Sequence, residues 1–149
     1  MEGEVLLLQY FSTRNEKNQA TASQAILSGL ASDGGLYVPE QIPQVDYHRL
    51  LGLSYRQRAK LILADYLTDF TEEEIAACVD GAYTAEHFGS DVIAPLAKVG
   101  DAVSFLELWH GPTCAFKDMA LQILPYFLTT SMKKQGEDKT VVILVATSG

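Results

Sequence analysis

The amino-acid sequence predicts an α/β protein in which short extended segments alternate with amphipathic helices. Its last ten residues, TVVILVATSG, form an apolar run rich in β-branched residues, which is typical of a parallel strand buried on both faces. Several segments before it have helical periodicity and helix start signals. With 149 residues, of which 48% are hydrophobic and 20% charged, the chain is long enough to form one compact core.

The first third of the chain is predicted to contain a strand, a loop, a helix and a second extended segment. LLLQYFST has the apolar and aromatic content of a strand, and the polar stretch TRNEKNQ is interpreted as a loop. A helix is expected after Thr21, which has capping-box spacing to Gln24, and should end at Gly29. LYVPEQIP follows, and Pro39 and Pro43 favour an edge strand or a loop there.

Two further helices have the same start signal, Ser54 with Gln57 and Thr71 with Glu74. The acidic run Glu72–Glu74 lies in a first helical turn, where carboxylates meet the positive end of the helix dipole. It therefore indicates helix initiation rather than acid/base chemistry. The helix after Ser54 is expected to carry a core-facing stripe: Tyr55, Ala59, Ile62, Leu63, Tyr66 and Leu67.

After Gly89 the pattern changes from helical to extended. LAKV and AVSFLELW flank Gly100–Asp101, a signature of a β-hairpin. We place a domain boundary here, with residues 1–90 in one unit and residues 91–149 in the next.

A long helix is predicted from about Phe116 to Lys134, with Pro125 causing a kink or an irregularity and Gly136 acting as a C-terminal cap. The strand TVVILVATSG then needs neighbouring strands and a helix that crosses back. The remaining residues cannot provide these elements, so the sequence predicts that the chain is interrupted inside a domain.

Charge and cysteine content exclude several classes of function. The net charge of -8 leaves no basic surface for nucleic acid or anionic lipid. Cys78 and Cys114 form no C-x-x-C motif and have no histidine at ligand spacing, so reduced thiols are expected rather than a metal site. No export signal or run of about 20 apolar residues is present, which predicts a cytoplasmic protein.

The segment HGPTCAFKDMALQ contains the strongest candidate for chemistry, Lys117. Its sequence neighbours Phe116, Met119 and Ala120 are expected to favour the neutral amine, the form that condenses with an aldehyde such as pyridoxal phosphate. Two other interpretations are commoner for a single lysine: Lys117 extends to solvent, or it pairs with Asp118.

Other polar residues of this region have structural interpretations. His110 is expected to be a loop residue satisfied by backbone groups, and Cys114 a small buried thiol. The closing ATSG is a candidate cradle for an anion or a carboxylate, because small residues after a buried strand often lead into a helix with free amides.

Four segments together resemble the threonine synthase family: YFSTRN, ILSGLASDGGLYVPEQIP, ELWHGPTCAFKDMALQ and ATSG. They extend from Tyr10 to Gly149, and the DGGLYVPE and HGPT-x-AFKD blocks are specific to that group. The resemblance implies a small mixed amino-terminal domain followed by the truncated beginning of a pyridoxal-phosphate fold-type II domain. Two departures from the family pattern, Asn15 and Cys114, put only loop geometry and substrate preference in doubt.

The resemblance also implies roles for individual residues. Lys117 would form a Schiff base with pyridoxal 5'-phosphate and would be the catalytic residue, with Phe116 assigned to cofactor binding. Thr147, Ser148 and Gly149 would receive the substrate carboxylate. No metal is implied.

The implied reaction converts O-phospho-L-homoserine and water to L-threonine and phosphate. We expect residues 1–149 alone to be inactive, and exposed strand edges of a truncated chain could pair with copies of itself. Two alternatives remain: a threonine-synthase-like phospho-lyase that releases a keto acid and ammonia, and a non-catalytic folding or interaction module.

Overall fold

A computed structural model describes residues 7–144, which form a mixed α/β structure, as predicted. The strands are β1 (Tyr10–Ser12), β2 (Asn15–Ala20), β3 (Tyr37–Pro39), β4 (Leu96–Val99) and β5 (Val103–Leu106). The helices are α1 (Ala22–Ser28), α2 (Tyr55–Tyr66), α3 (Glu72–Ala82), α4 (Ala85–Phe88), α5 (Asp118–Leu121) and α6 (Leu124–Gln135), with one 3-10 turn at Tyr47–Leu50.

The first three strands form an antiparallel sheet in the order β2-β1-β3. The predicted strand is confirmed by β1, and β3 is the predicted edge strand. The loop predicted for TRNEKNQ is wrong, because β2 pairs with β1 and places Ala20 opposite Tyr10. Most of its side chains are exposed, so backbone hydrogen bonds rather than apolar alternation hold this edge strand, and the hydrophobic pattern gives no signal for it.

Reciprocal side-chain hydrogen bonds start three of the helices. At α3 the Thr71 N–H donates to Glu74 Oε2 at 2.8 Å, and the Glu74 N–H donates to Thr71 Oγ1 at 3.2 Å. Each bond satisfies a backbone donor that the first helical turn leaves free. The predicted capping boxes are all confirmed: Thr21 with Gln24, Ser54 with Gln57, and Thr71 with Glu74.

One hydrophobic core connects the first ninety residues to the last helix. Helix α3 contributes four of the buried side chains, more than any other described element. Helix α2 packs against α3, and α6 packs against both α1 and α3. The buried members of the core are Ala22, Leu67, Phe70, Ile75, Cys78, Val79, Ala82, Tyr83, Phe88, Ile93 and Ile123. The segment that leads into α6 is therefore held in place by the amino-terminal part of the chain.

The single long helix predicted from Phe116 to Lys134 is wrong, since two helices, α5 and α6, replace it. The interruption lies at Gln122 and Ile123, just before Pro125. A proline has no N–H to donate, and its ring would collide with the carbonyl four residues earlier in a continuous helix. The expected irregularity at Pro125 and the cap at Gly136, which has φ of +65°, are confirmed.

Strands β4 and β5 form the predicted hairpin, with Val99 opposite Val103. The buried parallel strand predicted for TVVILVATSG is not found over its described part, residues 140–144, which lie in no strand and have exposed side chains. A strand buried on both faces needs partners on both sides, and residues 7–144 place none beside it.

Three features bear on the excluded classes of function. Both cysteines are free, Cys78 buried and Cys114 exposed, so the prediction of a buried Cys114 is wrong. Over residues 7–144 there is no group of three or more His, Cys, Asp or Glu side chains able to hold a metal ion. Within the same range no helix has the length and apolar character that a membrane crossing requires.

Candidate functional site

Lys117 lies directly before α5, in the segment that connects the β4–β5 hairpin to the core. Its backbone is helical, and its side chain is half-buried. The side chain makes no hydrogen bond or ion pair to any residue between 7 and 144. The structure thus presents a primary amine without a partner in the described part of the chain.

Asp118, the next residue, is fully buried and holds the preceding loop. Its Oδ2 accepts the Thr113 N–H at 2.9 Å, and its Oδ1 accepts the Thr113 hydroxyl at 2.9 Å. Buried carboxylates need such donors because desolvation is costly. The alternative in which Lys117 pairs with Asp118 is therefore wrong.

A glycine allows the loop to approach this carboxylate closely. A Cβ atom built on Gly111 would lie 2.5 Å from Asp118 Oδ2, so a larger residue would displace one of the two. The turn that follows is closed by the Cys114 N–H, which donates to the Gly111 carbonyl at 3.0 Å. Cys114 has φ of +56°, a left-handed conformation that is uncommon outside glycine and asparagine.

Tyr83 anchors α5 from the opposite direction. Its hydroxyl donates to the Met119 carbonyl oxygen at 2.7 Å, which joins the end of α3 to the turn after Lys117. Burial and the neighbouring Tyr55 hydroxyl raise the pKa of Tyr83 well above its ordinary value, so it stays a donor at physiological pH.

The substitution Tyr83→Phe should lower the free energy of unfolding by about 1–2 kcal/mol, because it leaves the Met119 carbonyl without its donor. Urea denaturation measures this loss. Tyr126→Phe is the matched control, since it removes an exposed bond from Tyr126 to the Gly81 carbonyl and should cost less. An equal or larger loss for Tyr126→Phe would contradict an anchoring role for Tyr83.

His110 faces a carboxylate rather than the backbone groups predicted from sequence. Its Nε2 lies 2.7 Å from Glu107 Oε2, and the Trp109 ring stacks beside the imidazole with centroids 5.8 Å apart. This polar and aromatic group precedes the Gly111–Thr113 loop.

The cofactor and substrate residues predicted from sequence are only partly brought together. Phe116 is 66% exposed, so it does not provide the apolar shelter expected around Lys117 within residues 7–144. Lys117 lines none of five clefts that the described residues form on other surfaces. Thr147, Ser148 and Gly149, the predicted carboxylate cradle, lie outside the described residues.

Three residues that support the segment were missed from sequence. Thr113 and Asp118 are only five positions apart, and a hydroxyl residue in a Gly-Pro loop ahead of an acidic helix start was a usable signal for their pairing. Tyr83 gave no such signal, because 36 positions separate it from Met119.

A family model described as "Threonine synthase N terminus" matches residues 9–83, half of the chain. The chain belongs to the threonine synthase family. Threonine synthase from Methylobacillus glycogenes is 39% identical over 152 residues, which cover 95% of this chain and 32% of that protein. Threonine synthase-like 2 from Rattus norvegicus is 36% identical, with coverage of 94% and 29%.

Solved structures of the family agree with this fold. The X-ray structure of PLP-bound threonine synthase from Brucella melitensis is 37% identical and superposes with a TM-score of 0.77, over 87% of this chain and 28% of that one. The chain therefore spans about a third of the length of the relatives that it matches.

Proposed function

We propose that this chain is the amino-terminal part of a pyridoxal-phosphate-dependent threonine synthase, a carbon-oxygen lyase of threonine biosynthesis. The reaction would convert O-phospho-L-homoserine and water to L-threonine and phosphate. The observation that carries the proposal is the amine of Lys117, which has no partner within residues 7–144 and follows a loop held by two part-buried hydrogen bonds between Thr113 and Asp118. The relatives named threonine synthase support the reaction, and the PLP-bound Brucella structure supports the cofactor.

The chemistry of the available groups fits pyridoxal 5'-phosphate. Attachment of its aldehyde needs a primary amine that no carboxylate neutralises, and Asp118 is committed to Thr113. When bound, the cofactor supplies an electron sink for negative charge that develops beside the substrate amino group. Phe116, the neighbour of Lys117 in sequence, has an exposed apolar ring that is suited to contact with a planar ring.

Lys117 would serve twice in this reaction. It would first hold the cofactor, and as a free amine it would then carry protons at the α and β carbons of the substrate. Phosphate would leave from the γ carbon, which gains a proton in its place, and water would add its hydroxyl at the β carbon in place of the proton removed there. Thr147, Ser148 and Gly149 would bind the substrate carboxylate through their backbone amides and hydroxyls.

We also propose the division into an amino-terminal unit, residues 1–90, and the beginning of a cofactor-binding unit, residues 91–149. The end of the family-model match at residue 83 supports this division. Packing continues across the boundary, because Ile123 belongs to the shared core. A cytoplasmic location is part of the proposal, and the two free cysteines support it, because thiols stay reduced in that compartment.

Borohydride reduction of the full-length protein with pyridoxal phosphate tests the assignment. Reduction makes the bond to the lysine permanent, and peptide mass spectrometry then locates it. We expect the label in the peptide that contains Lys117. A label confined to another lysine, or no label at all, would refute the proposal.

A phospho-lyase is the second candidate, because the threonine synthase-like 2 relative is nearly as similar as the threonine synthases. Both enzymes would use the same cofactor and a phosphorylated amino substrate. Product analysis after incubation with O-phospho-L-homoserine separates them: threonine indicates the synthase, whereas ammonia and a keto acid indicate the lyase.

A further inference from the structure

The buried carboxylate of Asp118 connects the Gly111–Thr113 loop to the residue after Lys117. We propose that Asp118 is a positioning residue, which fixes the backbone of Lys117 so that its amine can reach the cofactor aldehyde. This inference rests on the proposed function of Lys117 and adds to it a residue that acts only through that lysine.

Hydrogen bonds restrain the backbone on both sides of Lys117. Its carbonyl oxygen accepts the N–H groups of Ala120 at 3.0 Å and Leu121 at 2.8 Å. The next residue, Asp118, donates its own N–H to the Ala115 carbonyl at 3.0 Å and binds Thr113 with its side chain. With its backbone restrained in this way, Lys117 can move mainly by rotation about its side-chain torsions.

Because Asp118 is buried, its carboxylate depends on the two hydrogen bonds from Thr113. No Lys, Arg or His side chain between residues 7 and 144 forms an ion pair with the carboxylate. The two hydrogen bonds from Thr113 therefore replace the hydration that the carboxylate loses on burial. Removal of one donor would leave a buried acceptor without a partner, which destabilises the folded state. Gly111 lies close to the carboxylate as well, because a Cβ atom built on it would lie 2.5 Å from Asp118 Oδ2.

A variant that removes both acceptors is needed at this position. A carboxylate accepts from the Thr113 N–H and hydroxyl at once, and asparagine can keep both bonds, because its amide oxygen accepts the N–H and its NH₂ group donates to the hydroxyl oxygen. Asp118→Ala removes both acceptors. Thr113→Val removes the hydroxyl donor from the other side, and Thr113→Ser keeps both donors as the matched control.

The test uses the full-length protein freed of cofactor. Pyridoxal phosphate is added, and the rate of appearance of its visible absorbance is measured, followed by borohydride trapping and quantification of the Lys117 peptide. Asp118→Ala, Thr113→Val, Thr113→Ser and the Asp118→Ala/Thr113→Val double variant are compared at a temperature where circular dichroism shows each one folded. If Asp118→Ala does not fold, Thr113→Val with its serine control carries the test.

We expect Asp118→Ala and Thr113→Val to load at least about tenfold more slowly, the cost of one or more bonds to a charged group. Thr113→Ser should stay within about twofold of the unmodified protein, and the double variant should be no slower than Asp118→Ala by more than that factor. Wild-type loading rates in both single variants, or a Thr113→Ser variant as slow as Thr113→Val, would overturn the positioning role.

The two proposals fail in different ways. If the unmodified protein carries the reduced label on another lysine, the assignment of Lys117 itself is wrong, and the positioning role falls with it. If every variant labels Lys117 at the wild-type rate, the assignment of Lys117 as the cofactor lysine is retained, and only the positioning role of Asp118 is refuted.

Discussion

Replacement of Lys117 by alanine in the full-length protein is expected to abolish both the visible absorbance of bound pyridoxal phosphate and the formation of threonine. The alanine has no amine to hold the aldehyde and none to carry protons between substrate carbons. Positioned acid/base groups alone contribute roughly 10²–10⁴-fold to a rate, so turnover should fall by at least about 10³-fold. Absorbance spectra and a phosphate-release assay measure the two effects.

Two further variants separate the need for a nucleophilic amine at Lys117 from the need for a positive charge there, and from the effect of removing any lysine. Lys117→Arg keeps a positive charge on a long side chain, but the guanidinium stays protonated and cannot form the bond, so it should fail as alanine does. Lys98→Ala removes an exposed lysine from β4 and should retain absorbance and turnover. Visible absorbance that persists in Lys117→Ala would remove the basis of the proposed function.

The helix starts could be predicted from sequence because each depends on residues three positions apart. Thr71 and Glu74 satisfy each other's backbone groups whatever surrounds them, so the pattern needs no knowledge of the tertiary structure. Strand β2 could not be found in the same way. Its exposed side chains follow no apolar pattern, and only pairing with β1 makes it a strand.

The candidate site shows the same division between local and long-range information. Lys117 could be singled out because the HGPT-x-AFKD block around it resembles that of the threonine synthase family, whereas a single lysine at a helix start more often extends to solvent. The residues that hold Lys117 in place could not be predicted in this way, because Tyr83 reaches Met119 only after α3 and α5 have packed on the core. The shelter predicted for its amine is also not formed by Phe116, because proximity in sequence does not decide which way a ring points.

Phe88→Ala is expected to lower the free energy of unfolding by about 3–5 kcal/mol. Phe88 ends α4, is only 1% exposed, and its ring lies 5.9 Å from that of Tyr83 between centroids. Truncation leaves a cavity in the core that connects α3 to α6, because densely packed neighbours relax only partly. Small domains are stable by about 5–15 kcal/mol, so this one change removes a large share of the total.

Urea denaturation followed by circular dichroism measures the effect, with Phe105→Ala as the matched control. Phe105 lies on β5 and is 53% exposed, so the same loss of a ring should change stability there by only about 0.5 kcal/mol. Equal losses for the two variants would mean that burial in the shared core does not stabilise the chain. A large loss confined to Phe88, with an unchanged denaturant slope, is the result expected if α3, α4 and α6 unfold as one unit. Since Tyr83 touches Phe88 and bonds to Met119, this unit is the support on which the loop of Lys117 rests.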